Sequence, residues 1–204
     1  MNWLAHIFLS EQNIDFQIGN YLADPLKGRT WETASIDLEK GMSVHKIIDS
    51  YTDAHEQFIQ SKSRLGKKGL LKPIIIDLTY DYLLTKNWNR YCNISLDEFL
   101  QTFYKQAKEQ LPNLPQKASL SLNRLIEHDV LNKYQNLEHL KMAFERVDRR
   151  LSSRLFQRDQ AISYFERVNE HIEDIENDFL LFFPQLCHEV KKNINQNKLT
   201  HWKV

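Results

Sequence analysis

Apolar residues return at helical spacing along most of this chain. Between Leu96 and Leu111 they fall at Leu96, Phe99, Leu100, Phe103 and Ala107, one stripe of a helix. Ser95 and Glu98 form a capping-box pair that opens it, and Pro112 and Pro115 close it. Asn136 is placed to cap a second helix carrying Leu137, Leu140, Phe144, Val147 and Leu151. Ile162, Phe165, Val168, Ile172, Ile175 and Phe179 mark a long one from about Gln160 to Phe183, interrupted at Pro184. The first half predicts short helices over Met1–Ser10 and Asp15–Ala23, the second stopped by Asp24-Pro25. A helix from about Ile36 to Gln60 follows. Gly66 and Gly69 then break the chain before a segment that starts at Pro73 and ends near Asn87.

Only five glycines and five prolines occur in 204 residues, too little punctuation for a β protein. With no repeat, low-complexity tract or long linker, the expectation is one all-α domain, a helical bundle over 1–204. Charge is balanced at 27 basic and 27 acidic side chains, so no global field calls for nucleic acid or a membrane surface. A local basic patch would still suit an acidic partner. Cys92 and Cys187 are far apart and form no CxxC pair, which reads as reduced, packed thiols. The apolar run Trp3–Leu9 lacks a basic flank and is too short for a signal peptide or a membrane span, so a cytoplasmic location is expected.

Two segments carry candidate chemistry. Ile74 to Leu84 is apolar on almost every side of a helix, which marks it as buried. Asp77 and Asp81 interrupt it on one face. Buried carboxylates are paired, protonated or bound to a cation. Metal binding is one outcome; a cap or arginine partner for Asp77, with Asp81 facing a groove, is the other. The preceding helix presents His45, Asp49, Thr52, Asp53 and Glu56 beside an apolar stripe, with His45 and Asp49 spaced to reach one ion. A solvated acidic edge fits that pattern too. His6 lies in an apolar run and Asp24 before a proline, where a core histidine and a turn former are the plain alternatives. Imidazole and carboxylate donors without thiolates favour manganese, magnesium or iron over zinc. His55, His128, His139, His171, His188 and His201 sit in polar surroundings and are expected at the surface. Arg146, Arg149, Arg150, Arg154 and Arg158 offer a helical basic face for phosphate or an acidic partner, or a solvated face offset by Glu145 and Asp148. Lys62, Arg64, Lys67, Lys68 and Lys72 are similarly ambiguous.

Short motifs in order along the chain resemble one family. Met1-Asn2-Trp3-Leu4-Ala5-His6, Gly19-Asn20-Tyr21-Leu22-Ala23-Asp24 with Lys27-Gly28, Gly41 through His45, Asp49 and Asp53, and Asp77-Leu78-Thr79-Tyr80-Asp81 are similar to acyl carrier protein phosphodiesterases. Arg149-Arg150 and Phe179 to Pro184 extend the likeness. The resemblance implies an HD-domain-like helical bundle holding a divalent metal, manganese foremost, with magnesium or iron possible. It implies release of 4′-phosphopantetheine from holo acyl carrier protein. No adjacent His-Asp dyad stands in a buried setting, since His128-Asp129 lies in a polar stretch, so ligands must come from separated residues. His6, Asp24, His45, Asp77 and Asp81 are the expected metal ligands. Asp49 and Asp53 would orient ligands or carry a proton, and Lys27, Asn20, Arg149 and Arg150 would meet phosphate or the carrier. An HD-like hydrolase of a small nucleotide and a helical module without catalysis are the rival expectations.

Overall fold

A computed structural model describes all 204 residues. The helices are α1 (Trp3–Phe8), α2 (Ile14–Leu22), α3 (Ile36–Ala54), α4 (Glu56–Arg64), α5 (Lys72–Lys86), α6 (Trp88–Tyr91), α7 (Leu96–Gln110), α8 (Gln116–Glu127), α9 (Leu137–Asp148), α10 (Ser153–Phe156), α11 (Phe165–Glu170) and α12 (Ile172–Lys191). Short 3₁₀ turns join several of them, and no strand forms. One isolated bridge pairs Cys92 with Trp202. A single cluster of 52 buried apolar residues runs from Met1 to Trp202, so all parts of the chain share one core. No helix is long and apolar enough to cross a membrane.

The expected caps form. Ser95 accepts from the Glu98 N–H at 3.2 Å and Asn136 from that of His139 at 2.9 Å. Four expectations need correction. The helix predicted from Ile36 to Gln60 breaks at His55, whose extended backbone ends α3 while its Nδ1 accepts from Gln57 N–H and starts α4. The helix predicted from Gln160 to Phe183 is divided into a 3₁₀ turn, α11 and α12, with His171 outside helical geometry. Pro184 does not interrupt α12: it lies on the exposed side, while Phe182, Phe183, Leu186 and Cys187 hold both halves in the core. The arginines expected along one helix are split, because α9 ends at Asp148 and α10 begins at Ser153.

The tightest crossing in the fold joins α2 to α3. A Cβ on Gly19 would stand 2.1 Å from the Leu38 carbonyl oxygen, and one on Gly41 2.1 Å from that of Phe16. Backbone therefore touches backbone, and only glycine permits it. Asn20 follows Gly19, and His45 lies one turn beyond Gly41. The crossing thus sets the distance between the residues of the candidate site. On the other flank, α5 lies buried between α1, α4, α9 and α12. The segment after α12 returns to α1. Trp202 stacks on Phe8 with ring centroids 5.4 Å apart, and its Nε1–H donates to the Phe8 carbonyl at 3.0 Å.

Candidate functional site

His6 on α1 and His45 and Asp49 on α3 converge, each offering a donor atom within 4.8 Å of the others. The His6 Nε2 is 3.2 Å from Asp49 Oδ1, and the His45 Nε2 is 3.0 Å from Asp49 Oδ2. The imidazoles stack with centroids 3.9 Å apart. Asp24, just past α2, brings Oδ1 to 3.2 Å from His45 Nε2. Both histidines are buried, while Asp49 and Asp24 remain partly open on their outer side.

Asn20 fixes the chemistry of both rings. Its amide N–H groups donate to the His6 carbonyl at 2.9 Å and to Ser10 Oγ at 3.0 Å. Its Oδ1 must therefore accept, and the group it accepts from is His6 Nδ1–H at 2.9 Å. Its backbone carbonyl accepts from His45 Nδ1–H at 2.7 Å. With both Nδ1 atoms protonated, both Nε2 lone pairs point into the cluster. The His6 Nε2 then faces two oxygens, Asp49 Oδ1 and the Met1 carbonyl at 3.1 Å. A lone pair facing two oxygens is repulsive unless a proton or a metal cation lies between them.

Electrostatics separates the two rings. Burial lowers the pKa of His6, and the charge of His45 lowers it further, against the pull of Asp49. Burial also opposes charge on His45, but its hydrogen bonds to Asp24 and Asp49 prevail and raise it to about 9. Burial would raise Asp49 and Asp24, yet hydrogen bonds with the histidines hold both below the ordinary carboxylate value. Charge is thus favoured on His45 and disfavoured on His6. Two imidazoles and one or two carboxylates, with no thiolate near, make a donor set that fits a divalent ion.

The remaining candidates are placed as follows. Asp77 pairs with the Met1 amino group at 2.8 Å at the edge of the cluster, and burial raises its pKa despite that cation. Asp81 is not brought to the cluster. It is fully buried, and its two oxygens accept from the Leu4 and Ala5 N–H groups at 2.9 and 3.2 Å, capping α1. Burial raises it to about 7 even so. Asn20, expected to meet substrate, is fully buried and holds the histidines instead. Asp53 lies exposed one turn beyond Asp49. Lys27, in the left-handed region at φ 54°, lines a cleft of about 320 Å³ with Asp24, His45, Lys46 and Asp49. Arg149 is exposed beside Glu145, whereas Arg150 lines two clefts.

Several residues escaped the sequence. Arg146 lines the same cleft as Asp24 and Asp77, and nothing in its spacing set it apart from its neighbours. His201, expected at the surface, is buried, and its Nε2–H donates to the Phe8 carbonyl at 2.9 Å. Asp178, buried far from the N-terminal motifs, takes a two-point contact from Arg64 at 2.9 and 3.1 Å.

The sequence profile of the family described as acyl carrier protein phosphodiesterase matches residues 1–186. The chain belongs to the acyl carrier protein phosphodiesterase family. Among curated proteins carrying that name, one from Escherichia coli O6:H1 is 27% identical over 203 residues, covering 94% of this chain and 98% of its own. Another, from Photorhabdus laumondii, is 26% identical over 194 residues, covering 94% and 96%. A third, from Enterobacter sp. strain 638, is 25% identical over 194 residues, covering 94% and 98%. No solved structure matches. The family's span takes in every residue of the cluster, from His6 to Asp49, and the basic cleft beyond it.

Proposed function

We propose that this chain hydrolyses the phosphodiester of holo acyl carrier protein, releasing 4′-phosphopantetheine and the apo protein, with a divalent ion at the His6–His45–Asp49 cluster. The observation that carries the metal is the buried His6 Nε2, its Nδ1–H committed to Asn20, facing two oxygens. The family membership and the names of the relatives support the substrate.

His6, His45 and Asp49 would hold the ion, and Asp24 is the fourth donor at the open side. Bound there, a divalent ion lowers the pKa of water and polarises phosphoryl oxygens. The chain's own residues do the rest. Asn20 keeps both Nδ1 atoms protonated and both Nε2 atoms turned toward the ion, which would take the place of the proton that His45 Nε2 shares with Asp24 and Asp49. Lys27 and Lys46 line the open cleft beside Asp24 and offset the charge of the phosphate. Asp53, exposed one turn from Asp49, would take up the proton released by the attacking water and pass it to the departing serine oxygen. The acidic carrier meets the basic groups that surround the opening, Arg150 among them. Manganese suits these donors best, with magnesium or iron as substitutes. The HD-like kinship implied by the resemblance stands as part of this proposal.

Mass spectrometry of holo acyl carrier protein incubated with the purified chain tests the reading. With Mn²⁺ the phosphopantetheine mass should be lost, and with chelator it should be retained. Holo protein unchanged under both conditions, while a small nucleotide phosphodiester is cleaved, would transfer the site to the rival substrate class.

A further inference from the structure

A second cleft, of about 380 Å³, leaves the cluster at Asp24 and Asp77 and runs between α1, α5 and α9. That volume is ordinary for a small-molecule site. Three cations line it, Lys133, Arg146 and Arg150, and none of them is in an ion pair, whereas the neighbouring Arg149 is paired with Glu145. The two acids that share the cleft, Asp24 and Asp77, face His45 and the Met1 amino group. Burial and the proximity of Arg150 and Arg149 lower the pKa of Arg146, a sign of cations gathered without a counter-charge. One wall is apolar, made by Ile74, Leu78 and Val147. Set into the cleft is Tyr134, only 2% exposed. Its hydroxyl accepts from Asn2 at 2.7 Å, and its O–H has no acceptor within the protein.

An uncommitted donor, an apolar wall and unpaired cations beside a phosphoester site describe the two halves of one ligand. Resting on the reaction read above, we propose that this cleft binds the amide-containing arm of the phosphodiester. Arg146 and Arg150 take phosphate oxygens, Tyr134 donates to an amide carbonyl of the arm, and Ile74, Leu78 and Val147 cover its methyl groups. The serine side of the diester then leaves through the opening lined by Lys27 and Lys46. Specificity for the arm would thus be read by the enzyme itself, separately from recognition of the carrier surface.

Calorimetric titration of the full chain with 4′-phosphopantetheine and with inorganic phosphate tests this. The arm should make 4′-phosphopantetheine bind about tenfold or more tighter than phosphate. Tyr134→Phe, which keeps the ring, should weaken 4′-phosphopantetheine about fivefold and leave phosphate unchanged, the loss of one hydrogen bond. Arg146→Ala should weaken both ligands. Val147→Trp, checked for an unchanged melting temperature, should remove the advantage of the arm. Equal affinity for the two ligands, or indifference of 4′-phosphopantetheine to both Tyr134→Phe and Val147→Trp, would overturn the assignment. The reaction is tested apart from this. If the wild type cleaves holo carrier while the titration shows no arm effect, the cleft assignment falls and the reaction stands. If the arm effect is present without cleavage of holo carrier, the cleft assignment holds and the reaction falls.

Discussion

Asp49 and Asp81 are both carboxylates on core helices, and they have opposite fates. Asp81 stands on α5, apolar all round, and is buried completely; both of its oxygens are spent on the backbone of α1. Asp49 stands on α3, a mixed helix, and keeps its outer side open while its oxygens face two imidazoles. The more apolar setting produced an acid committed to the backbone, and the less apolar one an acid that faces two imidazoles and solvent. A buried carboxylate must be satisfied, and the nearest satisfying groups are often the unpaired N–H groups of a helix start. A carboxylate that is to serve an ion and a substrate has to remain reachable.

Substitutions can break that contrast. Asp49→Asn should have the largest effect, a loss of turnover of about a thousandfold or more, with a melting temperature close to wild type. A fall in melting temperature comparable to that of a core mutant would make Asp49 structural. Asn20→Leu should weaken Mn²⁺ binding about 10- to 100-fold, since the His6 tautomer would no longer be held; calorimetry with the metal alone measures it. Asp81→Ala should act on stability, costing about 2–4 kcal/mol by denaturant unfolding because two buried N–H groups lose their acceptor. Activity lost by Asp81→Ala at full stability would restore it as a ligand. Gly41→Ala should cost about 1–3 kcal/mol and displace His45, read as lowered stability together with weakened metal binding.

A contrast among the histidines gives an effect confined to acid pH. His45 gains charge on folding, whereas burial holds His201 down to about 4. Below its ordinary value near 6.5 the unfolded chain takes up a proton at His201 that the folded chain refuses. The stability contributed by the neutral ring is present above that value and declines as pH falls toward 4, by about 1.4 kcal/mol per pH unit at most. His201→Gln should flatten the stability profile in that window. An identical slope in wild type and variant would remove His201 as its source.

Helix positions were legible wherever stripe and cap agreed, as at Ser95 with α7 and Asn136 with α9. The break at His55 was not, since no glycine or proline marks it and a histidine ring supplies the cap. α8 carried no assignment in the sequence although it is twelve residues long. The passage of α12 through Pro184 depended on core contacts on both sides of the proline, which outweigh the local preference. Within the site, the spacing of His45 and Asp49 was readable from one helix. The partnership with His6 was not, because it depends on how α1 and α2 pack across the glycine crossing. The resemblance brought the segments of the cluster together but left Asn20 and Asp81 in roles the packing does not give them. Arg146 and Tyr134 became visible only when separate elements met around one cleft.

The brevity of α1 has a consequence for how activity is lost. Six residues are too few to hold a helix in water. What keeps this one formed comes from elsewhere: Asp81 at its start, Trp202 and His201 against Phe8 near its end. The segment that carries His6 is therefore a cooperative extension of α5 and of the final residues, with no independent folding unit of its own. Amide protons of Leu4 and Ala5 should exchange only through the opening that also releases α5, and heat or denaturant should abolish ion binding and tertiary structure in one transition.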